Sequence, residues 1–357
     1  MTAETSIRVS IIVACRNEIT HIRGFLDSLL SQDLEDITWE AILADGMSDD
    51  GTREILDRCG AEHSQLRILS NPGRIVSTGL NAAIRAACGD IIIRMDAHSC
   101  YAPTYCRLCV ETLECTGADY VGGPVLAQAE GALPRAVTAA FHSRFSTGGS
   151  SRFRESDYEG WVNTLPFGAW HKNVLERIGL FDESLVRNQD DELNIRLLQS
   201  GGKIWQTPSL RSWYSPRSTL SKLFHQYFQY GFWQVPVLRK HGNLSSWRKF
   251  VPVAFVFANA MAVVALVVAA VNRLSSFRSI LSLWLILLAV YLFLDLAASV
   301  LAARRNGWDT LPYLPIIFCV YHLSFGLGFL MGFLRLALPE SKAFSTSVDS
   351  AWTRLTR

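Results

Sequence analysis

The chain has 357 residues, with 34 Lys and Arg against 32 Asp and Glu, and a net charge of +2. That near balance leaves no basic excess for a nucleic-acid binder, and the length has room for about two domains. Met1–Val9 is polar and lacks the apolar core of a secretory signal, so the N-terminal part is expected to stay in the compartment where it is made.

From the N-terminus, a strand over Arg8–Ala14 precedes a helix over Ile19–Ser31, on which Ile22, Phe25, Leu26, Leu29 and Leu30 share one apolar face. The strand Trp39–Ala44 leads to a helix near Arg53–Cys59, and the short strand Leu66–Leu69 to a helix over Thr78–Cys88. Ile91–Met95 is the next strand, followed by a helix over Pro103–Thr116 and a strand Tyr120–Gly122. This alternation predicts βαβ units and a mainly parallel α/β sheet. Gln128–Tyr158 is less regular, with a loop at Gly148-Gly149-Ser150-Ser151. Regular patterning resumes at Trp161–Trp170, then a helix near Lys172–Ile178 and another from about Asp191 to Ser200. Ser218–Trp233, aromatic with scattered Lys and His, has two readings: an amphipathic helix on a membrane surface, or a helix packed on the sheet.

Eight cysteines include the pair Cys106 and Cys109 at the spacing of zinc and redox sites. Their helix puts Cys106, Cys109 and Leu113 on one face, which predicts buried structural thiols, kept free in a reducing compartment.

The C-terminal part is apolar. Val251–Val271 carries no charge and is long enough to cross a bilayer. Ile280–Ala303 holds one acid, Asp295, and Leu311–Leu334 holds His322. Three transmembrane helices are expected, with Asp295 and His322 as a satisfied intramembrane pair. Arg239, Lys240, Arg248 and Lys249 precede the first span and place the N-terminal domain in the cytoplasm. Arg304 and Arg305 then face the same side, while Arg273, Arg278 and the C-terminus face outside. The expected domains are 1–240, a membrane domain over 241–340, and a polar tail over 341–357.

Ligands of an open parallel sheet bind outside the carboxyl ends of its strands, and three acidic clusters bear on that rim. Asp45-Gly46-Met47-Ser48-Asp49-Asp50-Gly51-Thr52 follows one strand. Asp45 is placed to accept the imide N–H of a uracil ring, whereas Asp49, Asp50 and Thr52 suit the cap of the next helix. Glu18, in Ala14-Cys15-Arg16-Asn17-Glu18, occupies an equivalent rim position. Asp96 and His98 lie two apart on a segment expected to be extended, so both point the same way. Together they suit Mg²⁺ or Mn²⁺, an ion that offsets charge on a departing nucleoside diphosphate. Gln189-Asp190-Asp191-Glu192-Leu193 reads either as acids complementing a helix N-terminus or as the source of a general base. Spacing does not choose between Asp190 and Asp191.

These clusters resemble the family 2 inverting glycosyltransferases of GT-A fold, over about Val9–Gly242. The matching stretches are Val9–Glu18, the Asp45–Thr52 segment, Arg94-Met95-Asp96-Ala97-His98, Ile178-Gly179-Leu180-Phe181-Asp182-Glu183, and Gln189–Leu193. More narrowly, Asn71-Pro72-Gly73-Arg74-Ile75-Val76, the Asp-Ala-His triplet, Phe167-Gly168-Ala169-Trp170 and the trailing spans resemble the ExoA-type succinoglycan (exopolysaccharide) glucosyltransferases.

The resemblance implies a GT-A domain, Rossmann-like with flanking helices, followed by transmembrane helices. It makes Glu18, Asp45, Arg74 and Asp96 nucleotide-sugar residues. Asp96 becomes the ligand of the family's Asp-x-Asp motif, with His98 in place of the second Asp. It favours Asp190 over Asp191 as catalytic base, with Gln189 where the family has Glu. Gly168, Ala169, Trp170, Gln226 and Trp233 become acceptor-binding residues. Gln226-Tyr227-Phe228-Gln229-Tyr230 lacks the Arg-Trp pair of processive synthases, which favours single addition.

The implied protein is a multi-pass enzyme of the inner (plasma) membrane with a cytoplasmic catalytic domain. It would move glucose from UDP-glucose to a saccharide on a polyprenyl diphosphate during exopolysaccharide synthesis, among membrane lipid and other polysaccharide-assembly proteins. Two rivals stand beside it: a processive polysaccharide synthase, and a catalytically idle scaffold of an export complex.

Overall fold

A computed structural model describes residues 8–127, 129, 131–146, 157–214, 216, 219–242 and 247–337. The loop expected at Gly148–Ser151 and the tail over 341–357 lie outside the described residues. In chain order the elements are β1 (Arg8–Cys15), α1 (Ile22–Leu30), β2 (Thr38–Asp45), α2 (Thr52–Glu62), β3 (Leu66–Ser70), α3 (Val76–Ala86) and β4 (Ile91–Arg94). Then come β5 (Ser99–Tyr101), α4 (Tyr105–Thr116), β6 (Tyr120–Gly122), β7 (Val125–Ala127), α5 (Ala132–Phe141), β8 (Gly160–Val162) and β9 (Ala169–His171). The remainder are α6 (Lys172–Ile178), α7 (Gln189–Gln199), β10 (Ile204–Gln206), β11 (Ser212–Tyr214), α8 (Leu220–His241), α9 (Phe250–Val271), α10 (Phe277–Asn306) and α11 (Leu314–Ala337).

The chain divides into two compact units, Met1–Gln128 with Ser151–Ser215, and Ala129–Ser150 with Pro216–Arg357. This division assigns α8 to the apolar unit, whereas the sequence reading sets residues 1–240 apart from it.

The first unit is built on an eight-stranded sheet of order β3-β2-β1-β4-β9-β6-β10-β8, with a three-stranded sheet β5-β11-β7 beside it. β3, β2, β1 and β4 pair in parallel, and β9 runs antiparallel between β4 and β6. Strands covered on both faces read as unbroken apolar runs. Accordingly Ile11–Val13, Ala41–Ala44 and Ile91–Ile93 are all buried. Ile11, Val13 and Leu43 pack with Phe25 of α1, Leu56 of α2 and Tyr105 of α4. On the other face, Ile12, Ile42 and Ile92 pack with Leu80 and Ile84 of α3 and with Leu193 of α7. Cys106, Cys109 and Leu113 are buried together as expected, and all eight cysteines are free thiols.

In the second unit α8 packs on α11, and glycines allow the approach. A Cβ on Gly328 would collide with the Phe228 carbonyl, and one on Gly231 with the Phe325 carbonyl. Ala136, Val137 and Ala140 of α5 join Tyr227, Ala303, Phe318 and Tyr321 in one cluster.

Three helices are long and apolar enough to cross a membrane: Trp247–Val271, Phe277–Asn306 and Leu314–Leu336. Asp295 and His322 are satisfied there, but not by each other. Ser299 Oγ (3.2 Å) and Cys319 Sγ (3.4 Å) donate to the Asp295 carboxylate. His322 Nε2 lies 2.7 Å from the Phe145 carbonyl, so that nitrogen carries the proton and Nδ1 accepts from the Tyr291 hydroxyl at 3.0 Å.

Candidate functional site

Parallel pairing brings the carboxyl ends of β1, β2 and β4 to one edge of the sheet, with Cys15 opposite Asp45 and Ile12 opposite Arg94. The loops leaving β1 and β2 are tied together there. Asn17 Nδ2 donates to Asp49 (2.8 Å), the Asp49 N–H donates to Asn17 Oδ1 (3.0 Å), and the Glu18 N–H donates to Thr52 Oγ1 (2.9 Å). Asp50 accepts from the Thr52 N–H at 3.0 Å and from the Ile19 N–H at 3.1 Å. It therefore caps α2 as expected while also pinning the β1 loop.

Asp45 is only 1% exposed. Ser48 Oγ donates to it at 2.5 Å, and Arg53 Nη1 stands 3.7 Å away. A base bound to Asp45 would share a carboxylate already oriented by these two side chains. Burial, with the Asp45 charge adding to it, pushes the Cys15 thiol up to about 12. Cys15 is thus a core residue and no nucleophile. At the neighbouring end of β3, Asn71 donates its N–H to the Asp45 carbonyl at 2.7 Å. Arg74 follows in a tight turn with φ 60° and is exposed on the same rim.

The Asp96–His98 segment is a turn, which corrects the extended geometry expected for it. The Ser99 N–H donates to the Asp96 carbonyl at 3.0 Å, and the Asp96 N–H donates to the Tyr101 hydroxyl at 2.7 Å. His98 still reaches the rim, with Nδ1 3.6 Å from Glu18 Oε1. The Asp96 carboxylate accepts from Arg94 through Nε at 3.2 Å and Nη2 at 3.1 Å.

Asp190 lies in the first turn of α7, and the Ile178–Leu185 segment that leads to it is held by several side chains. From α3, Asn81 Nδ2 donates to the Phe181 carbonyl at 2.8 Å and Ser77 Oγ donates to the Leu185 carbonyl. Glu192, fully buried, pairs with Arg196 at 2.8 Å. Arg196 in turn donates to the carbonyls of Ile178, Gly179 and Leu180. Burial pushes the Asp190 carboxyl above the ordinary aspartate range; Arg94 pulls it back, and Asp191 pushes it further up. Asp191, next to it, is half-buried as Asp190 is.

The acceptor residues expected around β9 need correcting. Ala169 is buried between Ile93 and Val121 of the flanking strands. Trp170, 2% exposed, stacks on Tyr120 with ring centroids 4.1 Å apart. Both side chains serve the core. Gly168 matters for its backbone: its carbonyl accepts the Arg94 N–H at 2.8 Å, and a Cβ there would strike the Val121 carbonyl. Gln226 and Trp233 are half-buried on α8 of the second unit, where Gln226 Nε2 donates to Tyr230 at 3.0 Å.

Arg94 is the site residue that motif reasoning passed over. Its signal was present, since a lone cation ending the run Ile91–Ile93 must be buried with a partner.

The sequence profile described as Glycosyl transferase family 2 matches residues 10–179. The chain is 34% identical over 252 residues to the succinoglycan biosynthesis protein ExoA of Rhizobium meliloti (strain 1021), covering 70% of this chain and 76% of that protein. It is 23% identical over 335 residues to the dolichyl N-acetyl-alpha-D-glucosaminyl phosphate 3-beta-D-2,3-diacetamido-2,3-dideoxy-beta-D-glucuronosyltransferase of Methanococcus voltae, covering 92% and 97% of the two chains. Among solved structures, the mannosyltransferase PcManGT from Pyrobaculum calidifontis, in complex with GDP-Man and Mn²⁺, superposes with a TM-score of 0.53. That match has 21% identity and covers 90% of this chain and 88% of that one.

Proposed function

As this chain belongs to glycosyl transferase family 2, we propose that it is a membrane-anchored inverting glycosyltransferase that moves glucose from UDP-glucose to a lipid-linked saccharide of exopolysaccharide type. The observation that carries this reading is Asp190, a half-buried carboxylate at the start of α7 whose pKa is raised by burial and which feels the charge of Arg94, itself paired with Asp96. In the reaction an Asp190 oxygen takes the proton of an acceptor hydroxyl as that hydroxyl attacks the anomeric carbon from the face opposite the departing diphosphate. Asp45 and Glu18 hold the nucleotide, with Arg74 on the same rim. The similarity to a relative named for a dolichyl N-acetyl-alpha-D-glucosaminyl phosphate supports a lipid-linked acceptor.

Asp96 and His98 would hold Mg²⁺ or Mn²⁺. Among the described residues no three His, Cys, Asp or Glu side chains stand together as a metal cage. A carboxylate and an imidazole on an open rim instead fit an ion completed by diphosphate oxygens and water, the usual arrangement for Mg²⁺. When bound, the ion supplies positive charge opposite the departing diphosphate.

The three apolar helices anchor the enzyme where its acceptor lies, so that encounter is partly pre-organised. The basic pairs Arg239-Lys240 and Arg248-Lys249 favour a cytoplasmic catalytic unit. The test is transfer from labelled UDP-glucose into lipid extract by the wild type, Asp190→Asn and Asp96→Ala. Loss in both variants is expected; near wild-type rates in both refute the assignment. A ladder of long products would show a processive synthase.

A further inference from the structure

Arg94 does more than neutralise Asp96. It ends a strand of buried isoleucines and is 5% exposed. Its guanidinium lies 5.9 Å from the centroid of the Phe181 ring. Nε and Nη2 both serve Asp96, yet Nη1 is buried and hydrogen-bonded to nothing among the described residues. Leaving a buried cationic N–H unpaired is costly, and such a group calls for an explanation. A second orphan sits next to the base in sequence. Gln189 is 6% exposed, and its buried Oε1 also has no hydrogen-bond partner among the described residues. A spare donor thus sits on a residue whose charge Asp190 feels, and a spare acceptor on the residue before Asp190.

The position of the donor N–H narrows what it binds. Asp96 is placed at the diphosphate end of the reaction and Asp190 at the acceptor end. The anomeric carbon must lie between them, so the group spanning that interval is the sugar ring. Arg94 touches Asp96 and feels the charge of Asp190. We propose that Arg94 is a sugar-binding and positioning residue: two of its three guanidinium nitrogens fix Asp96, and the third is kept for an oxygen of the transferred sugar. The inference rests on the transferase reading above, and it makes Arg94 selective for the sugar rather than the nucleotide.

The test compares UDP with UDP-glucose on the full-length protein in detergent with Mn²⁺, for the wild type, Arg94→Lys and Arg94→Gln. Calorimetry gives the affinity of each ligand, and steady-state transfer separates KM from kcat. In both variants UDP should bind within about threefold of wild type, while UDP-glucose binding weakens and KM rises by about tenfold or more, the worth of a charge-assisted hydrogen bond. Lys keeps the charge and one bond to Asp96, so it carries the test if the Gln variant does not fold. Equal losses for UDP and UDP-glucose, or no loss for either, overturn the role of Arg94 while leaving the transferase reading intact. A wild type that binds UDP-glucose no better than buffer overturns that reading and this inference together.

Discussion

Glu18 Oε1 stands 3.6 Å from His98 Nδ1, joining the loop after β1 to the turn after β4. At this separation, a small closing movement on metal binding would bring an Nδ1–H onto Glu18 and leave Nε2 as the lone-pair nitrogen. A carboxylate behind a ligating histidine commonly fixes ring and tautomer in this way.

Glu18→Gln should therefore raise the Mn²⁺ concentration for half-maximal transfer by roughly 10–100-fold, with a smaller effect on the rate at saturating metal. Metal titration of activity checks this. An unchanged requirement would detach Glu18 from the metal site.

Asp190→Asn should cut transfer by about 10²–10⁴-fold. Because burial raises the Asp190 pKa, transfer should increase with pH through a limb above the ordinary aspartate range. Asp191→Asn removes a charge that pushes Asp190 up, so it should move that limb to lower pH. Stability follows the opposite slope. The folded protein holds the Asp190 proton more tightly than the unfolded chain, so stability falls as pH rises from the unfolded pKa through the folded one. pH–rate and pH–melting profiles of the three proteins test both signs.

Glu192→Ala leaves Arg196 without the buried carboxylate that pairs with it. Breaking such a pair typically costs about 3–5 kcal/mol, and here it also frees the strap of carbonyls at Ile178, Gly179 and Leu180. A lower melting temperature with reduced kcat is expected. Wild-type stability would show that the strap holds without Glu192.

In the second unit, Gly328→Val forces a side chain against the Phe228 carbonyl. Overpacking of this kind costs about 1–3 kcal/mol. The variant should melt earlier in detergent and expose α8 to protease, whereas Gly24→Ala, with open space around its Cβ position, should leave the second unit intact.

The long strands β1 to β4 and the apolar helices were legible in the sequence because each carries many residues of one pattern. Tyr120–Gly122 and Lys172–Ile178 match their expected bounds. β5, β7, β10 and β11 were not legible, since three-residue strands show no period and are created by their neighbours. Ala169-Trp170 misled for a related reason. A tryptophan beside a glycine turn suits a ligand surface, and only pairing between β4 and β6 shows that it is core. The rim acids were legible as motifs. What they touch was not, because the Glu18–His98 and Arg94–Asp96 geometries depend on turns and rotamers that spacing does not encode.

The Tyr321 hydroxyl donates to the Val137 carbonyl across 184 residues of sequence, at 3.1 Å. During synthesis α5 emerges long before α11 exists, so the surface of Ala136, Val137 and Ala140 that Phe318 and Tyr321 cover must wait until the last helix leaves the ribosome. Cutting the gene after codon 240 would make that wait permanent. Fragments trimmed to the catalytic unit for crystallisation should therefore clump unless α5 is shielded by detergent or its apolar face is recoded.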